Sequence, residues 1–399
     1  MTEEFKRQQF YTLCKRLAEP RKFIQVLTGP RQTGKTTAVL QAVDALEYSN
    51  HYAAADEPAL RGTAWIEQQW ETARALLESG RKKKGILVLD EIQKIPEWSE
   101  TVKRLWDADT RKKIPLYVVL LGSSPILLQQ GLSESLAGRF ETISVTHWSF
   151  SEMHSAFGFS LNTYLYYGGF PGAAALLKDA DRWKQYVNDS LIETTVSRDI
   201  LLMTRVDKPA LLRQLFHLAC AYSGQIVSYQ KLVGQLQDAG NTTTLAHYLK
   251  LLSGAGMVTG LEKFSAAQVR QRASSPKLLA LNTALLTSQL QLQPADIARE
   301  GDVRGRLTET AVGAHLVNSS RGTPVKIFYW REGAFEVDFV IQNGKKIIAL
   351  EVKSGRAKEN LAGIELFQKY FSPHRTLLVG TDGIPIEQFL SQPIEKWIE

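Results

Sequence analysis

The eight residues Gly29-Pro30-Arg31-Gln32-Thr33-Gly34-Lys35-Thr36 fit the pattern Gly-x-x-x-x-Gly-Lys-Ser/Thr without a mismatch. Nothing else in the 399-residue chain limits its fold as tightly. Such a loop needs a buried strand to deliver it and a helix to leave from it. Its backbone N–H groups must converge on phosphate oxygens while the helix adds its positive end. The flanks supply both: Phe23 to Leu27 is short and apolar, and Lys35 to Leu46 has helix spacing. Lys35 is expected to reach the outer phosphates and the Thr36 hydroxyl to hold Mg²⁺, with Thr37 in the same cradle. ATP and Mg²⁺ are the expected cofactors. The competing reading, a chance glycine-rich turn, gives no reason for the strand before and the helix after.

The strand-then-helix pattern repeats downstream. Gly85 to Leu89 (GILVL) and Leu116 to Leu121 (LYVVLL) are unbroken apolar runs, as strands buried on both faces of a parallel sheet should be. Thr63 to Ser79 and Trp98 to Asp107 read as helices, and Ile143 to Val145 adds a short strand. The alternation implies a doubly wound α/β domain ending near Phe150.

Ligands bind such sheets where the strands end. The GILVL run continues into Asp90 and Glu91. Asp90 is expected to hold Mg²⁺ through water and Glu91 to act as general base. Many strands end in acids; the phosphate loop upstream gives this pair its meaning. Leu121-Gly122-Ser123-Ser124 ends the next run. A hydroxyl there, Ser123 or the equally placed Ser124, orients the attacking water, unless it caps a helix. Gly138-Arg139-Phe140 follows a helix-like stretch. Arg139 is either an ordinary surface arginine or a group that reaches the γ-phosphate of a neighbouring subunit. The second reading requires a homo-oligomer, a ring such as a hexamer.

A chain of this length calls for two to three domains. No run is apolar for long enough to cross a bilayer, and MTEEFKRQQFYTLCKRL lacks a secretory core, so a cytoplasmic protein without a membrane partner is expected. Cys14 and Cys220 stand alone, which excludes a disulfide framework and a cysteine zinc site. The net charge of +7 suits a polyanionic partner. Arg81 to Lys84 and Arg111 to Lys113 are local basic peaks, but each precedes a buried strand and reads equally as a solvated loop end.

Leu161 to Met203 reads as helical with one break at Gly168-Gly169-Phe170-Pro171-Gly172. Leu211 to Tyr222, Tyr229 to Gln237 and Thr243 to Ser253 have winged-helix spacing, with a wing that carries Phe264 and then Arg270 to Arg272. Asn241 to Lys250 is the candidate recognition helix; a protein-binding winged helix is the alternative.

Phe335 to Ile341 and Ile347 to Lys353 read as two strands of a hairpin turning at Asn343-Gly344. That turn pairs Asp338 with Ala349. Glu351 becomes a diagonal neighbour about 7 Å from Asp338 on the same face, with Lys353 beside it. Two carboxylates so placed share one Mg²⁺, and a lysine beside them positions water. Glu336 falls opposite Glu351, a costly pair unless a cation lies between, and is a reserve ligand. Ordinary solvent-face salt bridges are the alternative.

GPRQTGKTT, LDEIQKIPEW and LAGRFETISV, with YYGGFPG and SRDI in the helices that follow, resemble the bacterial and archaeal AAA-type P-loop ATPases that carry a C-terminal restriction-endonuclease-like domain (PD-(D/E)xK type, domain of unknown function 4143). The likeness covers nearly the whole chain, and LDEIQKIPEW is more specific than the phosphate loop. It implies an AAA-type ATPase core over 1–155, a helical linker or lid over 156–205, a winged-helix domain over 206–290 and a restriction-endonuclease-like α/β domain over 291–399. It further implies that Asp338, Glu351 and Lys353 are the Asp…Glu-x-Lys set of those nucleases. Glu309, on the helix Leu307 to Asn318, resembles their helix-borne acid, in particular that of junction-cleaving resolvases, and joins the metal ligands. One departure is SPKLLALNTALL, where the family tends to show an aspartate near Asn282. The implied function is an ATPase motor coupled to a Mg²⁺-dependent endonuclease acting on DNA, with branched DNA such as Holliday junctions as the substrate by analogy. Two alternatives remain open: an ATP-switched DNA-binding regulator that does not cut, and a defence-type ATPase that degrades foreign DNA.

Overall fold

A computed structural model describes residues 5–56, 62–122, 128, 131–132, 135–203, 206–236, 240–265, 274–291, 293–353 and 361–399. The chain divides into two compact units, Met1–Val145 and Thr146–Glu399.

The first unit is built on five parallel strands: β1 (Ile24–Thr28), β2 (Ser49–Ala54), β3 (Gly85–Asp90), β4 (Leu116–Gly122) and β5 (Phe140–Ser144), in the order β2-β3-β4-β1-β5. Every residue of β3 and β4 is buried, as their unbroken apolar runs require. On one face the sheet packs Leu87, Val118 and Leu120 against Trp65, Trp70 and Leu105 of the helices Thr63–Ser79 and Trp98–Lys112. On the other, Val88, Val119 and Leu121 meet Leu13, Val39 and Val43 of the helices Gln8–Ala18 and Lys35–Leu46. Each such aliphatic side chain contributes about 1.5–3 kcal/mol when fully buried. Because all five strands are parallel, the phosphate loop after β1, the acids after β3 and the end of β4 share one edge. Arg139 precedes β5 and lies at the opposite edge, where its carbonyl accepts from Ile24 N (2.8 Å) at the start of β1.

The second unit opens at Thr146, before the boundary at 155 drawn from the sequence. Ser149 and Glu152 form a capping box that starts the helix Phe150–Phe157, and this helix packs on Leu161–Tyr167 within the second unit. The break at Gly168-Gly169 has a steric cause. Gly168 is left-handed (φ +65°), and a Cβ there would lie 2.0 Å from Asn282 Oδ1. Asn282 Oδ1 accepts from Gly169 N (3.1 Å) and Ala284 N (3.1 Å), so it both clips the turn and caps the helix Thr283–Thr287. An aspartate would accept the same two bonds; asparagine also offers its Nδ2 to His147 Nδ1 (3.3 Å).

Three helices follow, Pro209–Ala221, Tyr229–Gln235 and Thr242–Gly254, and then an antiparallel pair, β6 (Val258–Leu261) and β7 (Lys277–Ala280). Arg270 to Arg272 lie outside the described residues. Phe264, between β6 and β7, is buried against Phe328, Phe367 and Phe371 in the core of the C-terminal sheet. Asn241 Oδ1 caps Thr242–Gly254 by accepting from Thr244 N (2.9 Å); Thr242, Thr243, His247 and Lys250 are exposed while Leu245, Tyr248 and Leu249 are buried.

The C-terminal sheet has the order β11-β10-β9-β8, from β8 (Lys326–Glu332), β9 (Phe335–Asn343), β10 (Lys346–Lys353) and β11 (Arg375–Gly380). The β9–β10 hairpin corrects the register expected from the sequence. Asn343 pairs with Lys346, so Gly344-Lys345 is the two-residue loop. The reason is the positive φ (+59°) of its first central residue, which Gly344 meets without strain while Asn343 stays in the strand. The last pair is Phe339 with Leu350, so Asp338 comes alongside Glu351 one residue further on. Glu336 therefore does not face Glu351. The slip is two residues, which leaves each side chain on its face.

Candidate functional site

The phosphate loop is shaped by contacts that only its glycines allow. A Cβ at Gly29 would lie 1.8 Å from the Val145 carbonyl oxygen, and Gly34 is left-handed (φ +83°) at the start of the helix Lys35–Leu46. Gln32 is also left-handed (φ +57°), a conformation costing about 1–2 kcal/mol in a non-glycine residue. Lys35 is buried, and its ammonium donates to Gly29 O (2.9 Å) and Pro30 O (2.7 Å). Thr33 Oγ1 donates to Pro30 O (2.9 Å), and Arg7, buried in the N-terminal segment, donates to Thr33 O (2.8 Å).

Asp90 Oδ2 accepts from Thr36 Oγ1 (2.8 Å) and from the Tyr52 hydroxyl (2.9 Å), and Asp90 Oδ1 accepts from Glu91 N (2.8 Å). A hydroxyl and a carboxylate brought together beneath a phosphate cradle are the donor set of a Mg²⁺–nucleotide site, so the residues fit that group. Tyr52 was not singled out in the sequence, because the edge strand SNHYAA carries no apolar run. Burial and the neighbouring Asp90 push its phenol well above the usual tyrosine range, so it stays a donor.

Glu91 is left-handed (φ +52°), and its Oε2 accepts from Gln93 Nε2 (2.7 Å) with Lys94 Nζ at 3.7 Å. Gln93 lies under the end of β4, where a Cβ on Gly122 would be 2.3 Å from Gln93 Oε1. Gln93 too is missing from the sequence reading, although it stands inside the LDEIQ string. Ser123 and Ser124 lie outside the described residues. Arg139 makes a two-pronged pair with Asp107, Nε to Oδ1 (2.8 Å) and Nη2 to Oδ2 (3.0 Å), and holds the Asp107 carboxyl below the usual carboxylate range.

The second cluster lies at the end of β9 and β10. Asp338 Oδ2 accepts from Val352 N (2.9 Å), and Glu351 Oε1 pairs with Lys353 Nζ (2.9 Å). Glu351 Oε2 is buried and accepts no hydrogen bond among the described residues. The sequence reading missed the cation at the centre. Lys277 of β7 is fully buried, with its ammonium 2.7 Å from Glu309 Oε1, 3.2 Å from Glu336 Oε1 and 3.3 Å from Asp338 Oδ1. Glu336, which the observed register moves away from Glu351, is paired with this lysine instead. Burial raises the Glu309 carboxyl to about 7, with Lys277 opposing the shift. Burial and Asp338 raise Glu351 to about 7. Among the described residues no group of three or more His, Cys, Asp and Glu side chains is disposed to hold a metal ion. Mg²⁺ needs fewer: it keeps several waters and takes one or two carboxylates. The buried Glu351 oxygen beside Asp338 fits that requirement.

Comparison with known proteins divides the chain into three. Residues 21–154 match a family described as an AAA domain, residues 158–296 a domain of unknown function (DUF8612), and residues 304–391 a further domain of unknown function (DUF4143). A Mycobacterium tuberculosis protein described as uncharacterized is 27% identical over 334 residues, covering 83% of this chain and 70% of its own. A Haemophilus influenzae protein of the same description is 24% identical over 349 residues, covering 83% and 82%. Among solved structures, a Walker-type ATPase of Pyrococcus abyssi aligns with a TM-score of 0.45 at 13% identity, covering 72% of this chain and 98% of that one. No helix among the described residues is long and apolar enough to cross a membrane. With its phosphate loop, its β2-β3-β4-β1-β5 sheet and the match over residues 21–154, the chain carries an AAA-type P-loop ATPase domain, followed at its C-terminus by a DUF4143 domain.

Proposed function

We propose that the chain is an ATP-dependent DNA-processing enzyme in which a Mg²⁺-dependent ATPase works with a metal-dependent phosphodiester-cleaving site. In the ATPase, Thr36 and Asp90 hold the metal, Lys35 binds the outer phosphates and Glu91 takes the proton of the attacking water. Gln93 orients Glu91, and Arg139 reaches the nucleotide of the next subunit in an oligomer. The bound Mg²⁺ neutralises charge that develops on the transferred phosphoryl group.

At the C-terminal end, Asp338 and Glu351 would hold the second metal, and Lys353 would position a water for in-line attack on phosphorus. The observation that carries this part is the buried, unpartnered Glu351 oxygen beside Asp338. The exposed Thr242, Thr243, His247 and Lys250 face supports a DNA-contacting role for the helix Thr242–Gly254. A second reading, an ATP-switched DNA-binding regulator that does not cut, is favoured by Lys277, which already neutralises part of the acid cluster.

The test of the motor is the ATP hydrolysis rate with duplex, single-stranded and four-way-junction DNA at increasing salt. DNA is expected to change the rate, and the effect to fade as salt competes for phosphate contacts. A rate that no form of DNA alters at any salt would overturn DNA as the motor's partner.

A further inference from the structure

Lys277 is the least expected charge in the second unit. It follows Pro276 at the start of β7 and precedes Leu278-Leu279-Ala280, all fully buried. Four oxygens surround its ammonium at 2.7–3.3 Å: one each from Glu309, Glu336 and Asp338, and the Asp338 carbonyl. These come from the helix Gly301–Ser320 and from β9, while the lysine comes from the small β6–β7 sheet. The shell is acidic, and a cationic side chain of the chain itself fills it.

Asp338 belongs to both halves of the cluster. Its Oδ1 faces Lys277, and its Oδ2 accepts from Val352 N beside Glu351. Two-metal phosphodiester sites place their ions about 3.5–4 Å apart and stabilise both the attacking and the leaving oxygen. We propose that Lys277 is a built-in cation that fills one of two cation places around Asp338, so that the cluster takes one divalent metal ion and not two. This rests on the metal reading of Asp338 and Glu351 given above. The charges agree with it. The carboxylates of the cluster, Glu309, Glu336, Asp338 and Glu351, outnumber its two ammonium groups, Lys277 and Lys353, which leaves acid for one divalent ion. The lysine does not leave with product and cannot be chelated, so half of the cation requirement becomes permanent.

The test is the number of Mn²⁺ ions bound per chain, counted calorimetrically on the full chain without nucleotide in an Asp90→Ala background, which removes the metal ligand of the ATPase. One ion is expected, none after Asp338→Ala, two for Lys277→Met and one for Lys277→Arg, whose charge is kept. Glu336→Gln, at a partly exposed acid, should still bind one. Two ions in the unsubstituted chain, one ion both in the unsubstituted chain and in a folded Lys277→Met protein, or one in the unsubstituted chain and none in Glu336→Gln would overturn the proposal. Should Lys277→Met be unfolded without metal, saturating Mn²⁺ should restore its thermal transition toward that of the parent, and failure to do so counts against the proposal. No ion in the parent and one in Lys277→Met would instead sink the metal reading of Asp338 and Glu351 while upholding Lys277 as the cluster's own cation.

Discussion

Replacing Arg139 with alanine separates a catalytic role in a neighbour from a structural role at home. Arg139 lies before β5, and the phosphate loop leaves the far end of β1, five residues of strand away. At about 3.3 Å per residue that is about 16 Å, beyond the reach of the side chain, so within one chain it cannot touch its own nucleotide. Its partner at home is Asp107, and both side chains are about a third exposed. Losing an ion pair this exposed costs about 0–1 kcal/mol of stability. An arginine supplied to a transition state from a neighbour is worth about 10³–10⁵ in turnover. Arg139→Ala should therefore lower the turnover number at least about 10³-fold with little change in melting temperature. Subunit mixing gives the decisive arm. Lys35→Ala chains bind no nucleotide but offer Arg139; Arg139→Ala chains bind nucleotide but offer none. In a random equal mixture about a quarter of the interfaces of a ring combine a working site with a working arginine, so about a quarter of the wild-type rate should return. An Arg139→Ala protein of full activity, or a monomer that hydrolyses ATP at the wild-type rate, would refute the reasoning.

Three further outcomes follow from single contacts. Glu91→Gln should bind ATP as tightly as the parent and fail to turn it over, whereas Lys35→Ala should lose tight binding; normal turnover by Glu91→Gln would remove it as the base. Tyr52→Phe removes one of the three hydrogen bonds to Asp90, and with Tyr52 38% exposed the loss is about 1 kcal/mol, so the Mg²⁺ concentration for half-maximal ATPase should rise about fivefold; an unchanged Mg²⁺ requirement would show that the hydroxyl does not position Asp90. His315 is buried, its Nε2 is held at 3.0 Å by Gln392 O, and burial lowers it from an ordinary 6.5 to about 4. The unfolded chain then binds the extra proton first, so the contribution is whole above about 6.5 and is lost as pH falls toward 4, at up to about 1.4 kcal/mol per pH unit. Denaturant unfolding between pH 7 and 4 should show that slope, and His315→Gln should flatten it.

Different parts of the molecule were legible in the sequence to different degrees, for physical reasons. β3 and β4 are apolar on both faces because the parallel sheet covers both, and such runs stand out without a partner. The edge strand β2 needs no such burial, so SNHYAA gave no signal and took Tyr52 with it. Asn343-Gly344 marked the hairpin correctly as a turn, but the pair does not say which residue takes the positive φ; the answer moved the register by two and removed the supposed contact between Glu336 and Glu351. Parity kept Asp338 and Glu351 on one face through that error. Lys277 was invisible for another reason. Its acids lie thirty-two to sixty-one positions away, and no local pattern distinguishes a lysine that ends a strand in solvent from one that three carboxylates will enclose. The burial of Phe264 was hidden in the same way, since its ring partners belong to the later sheet.

DNA cleavage by the full chain tests the coupling of motor and C-terminal site most directly. Plasmid, linear and four-way-junction DNA would be incubated with Mg²⁺ or Mn²⁺, with and without ATP, beside Asp338→Ala and Glu351→Ala. Metal-dependent cutting is expected from the parent and none from either variant, while both variants keep their ATP hydrolysis because the two sites lie in different units. Salt-sensitive DNA binding by the parent with no cutting of any form under any of these conditions would contradict the nuclease reading and put the regulator in its place.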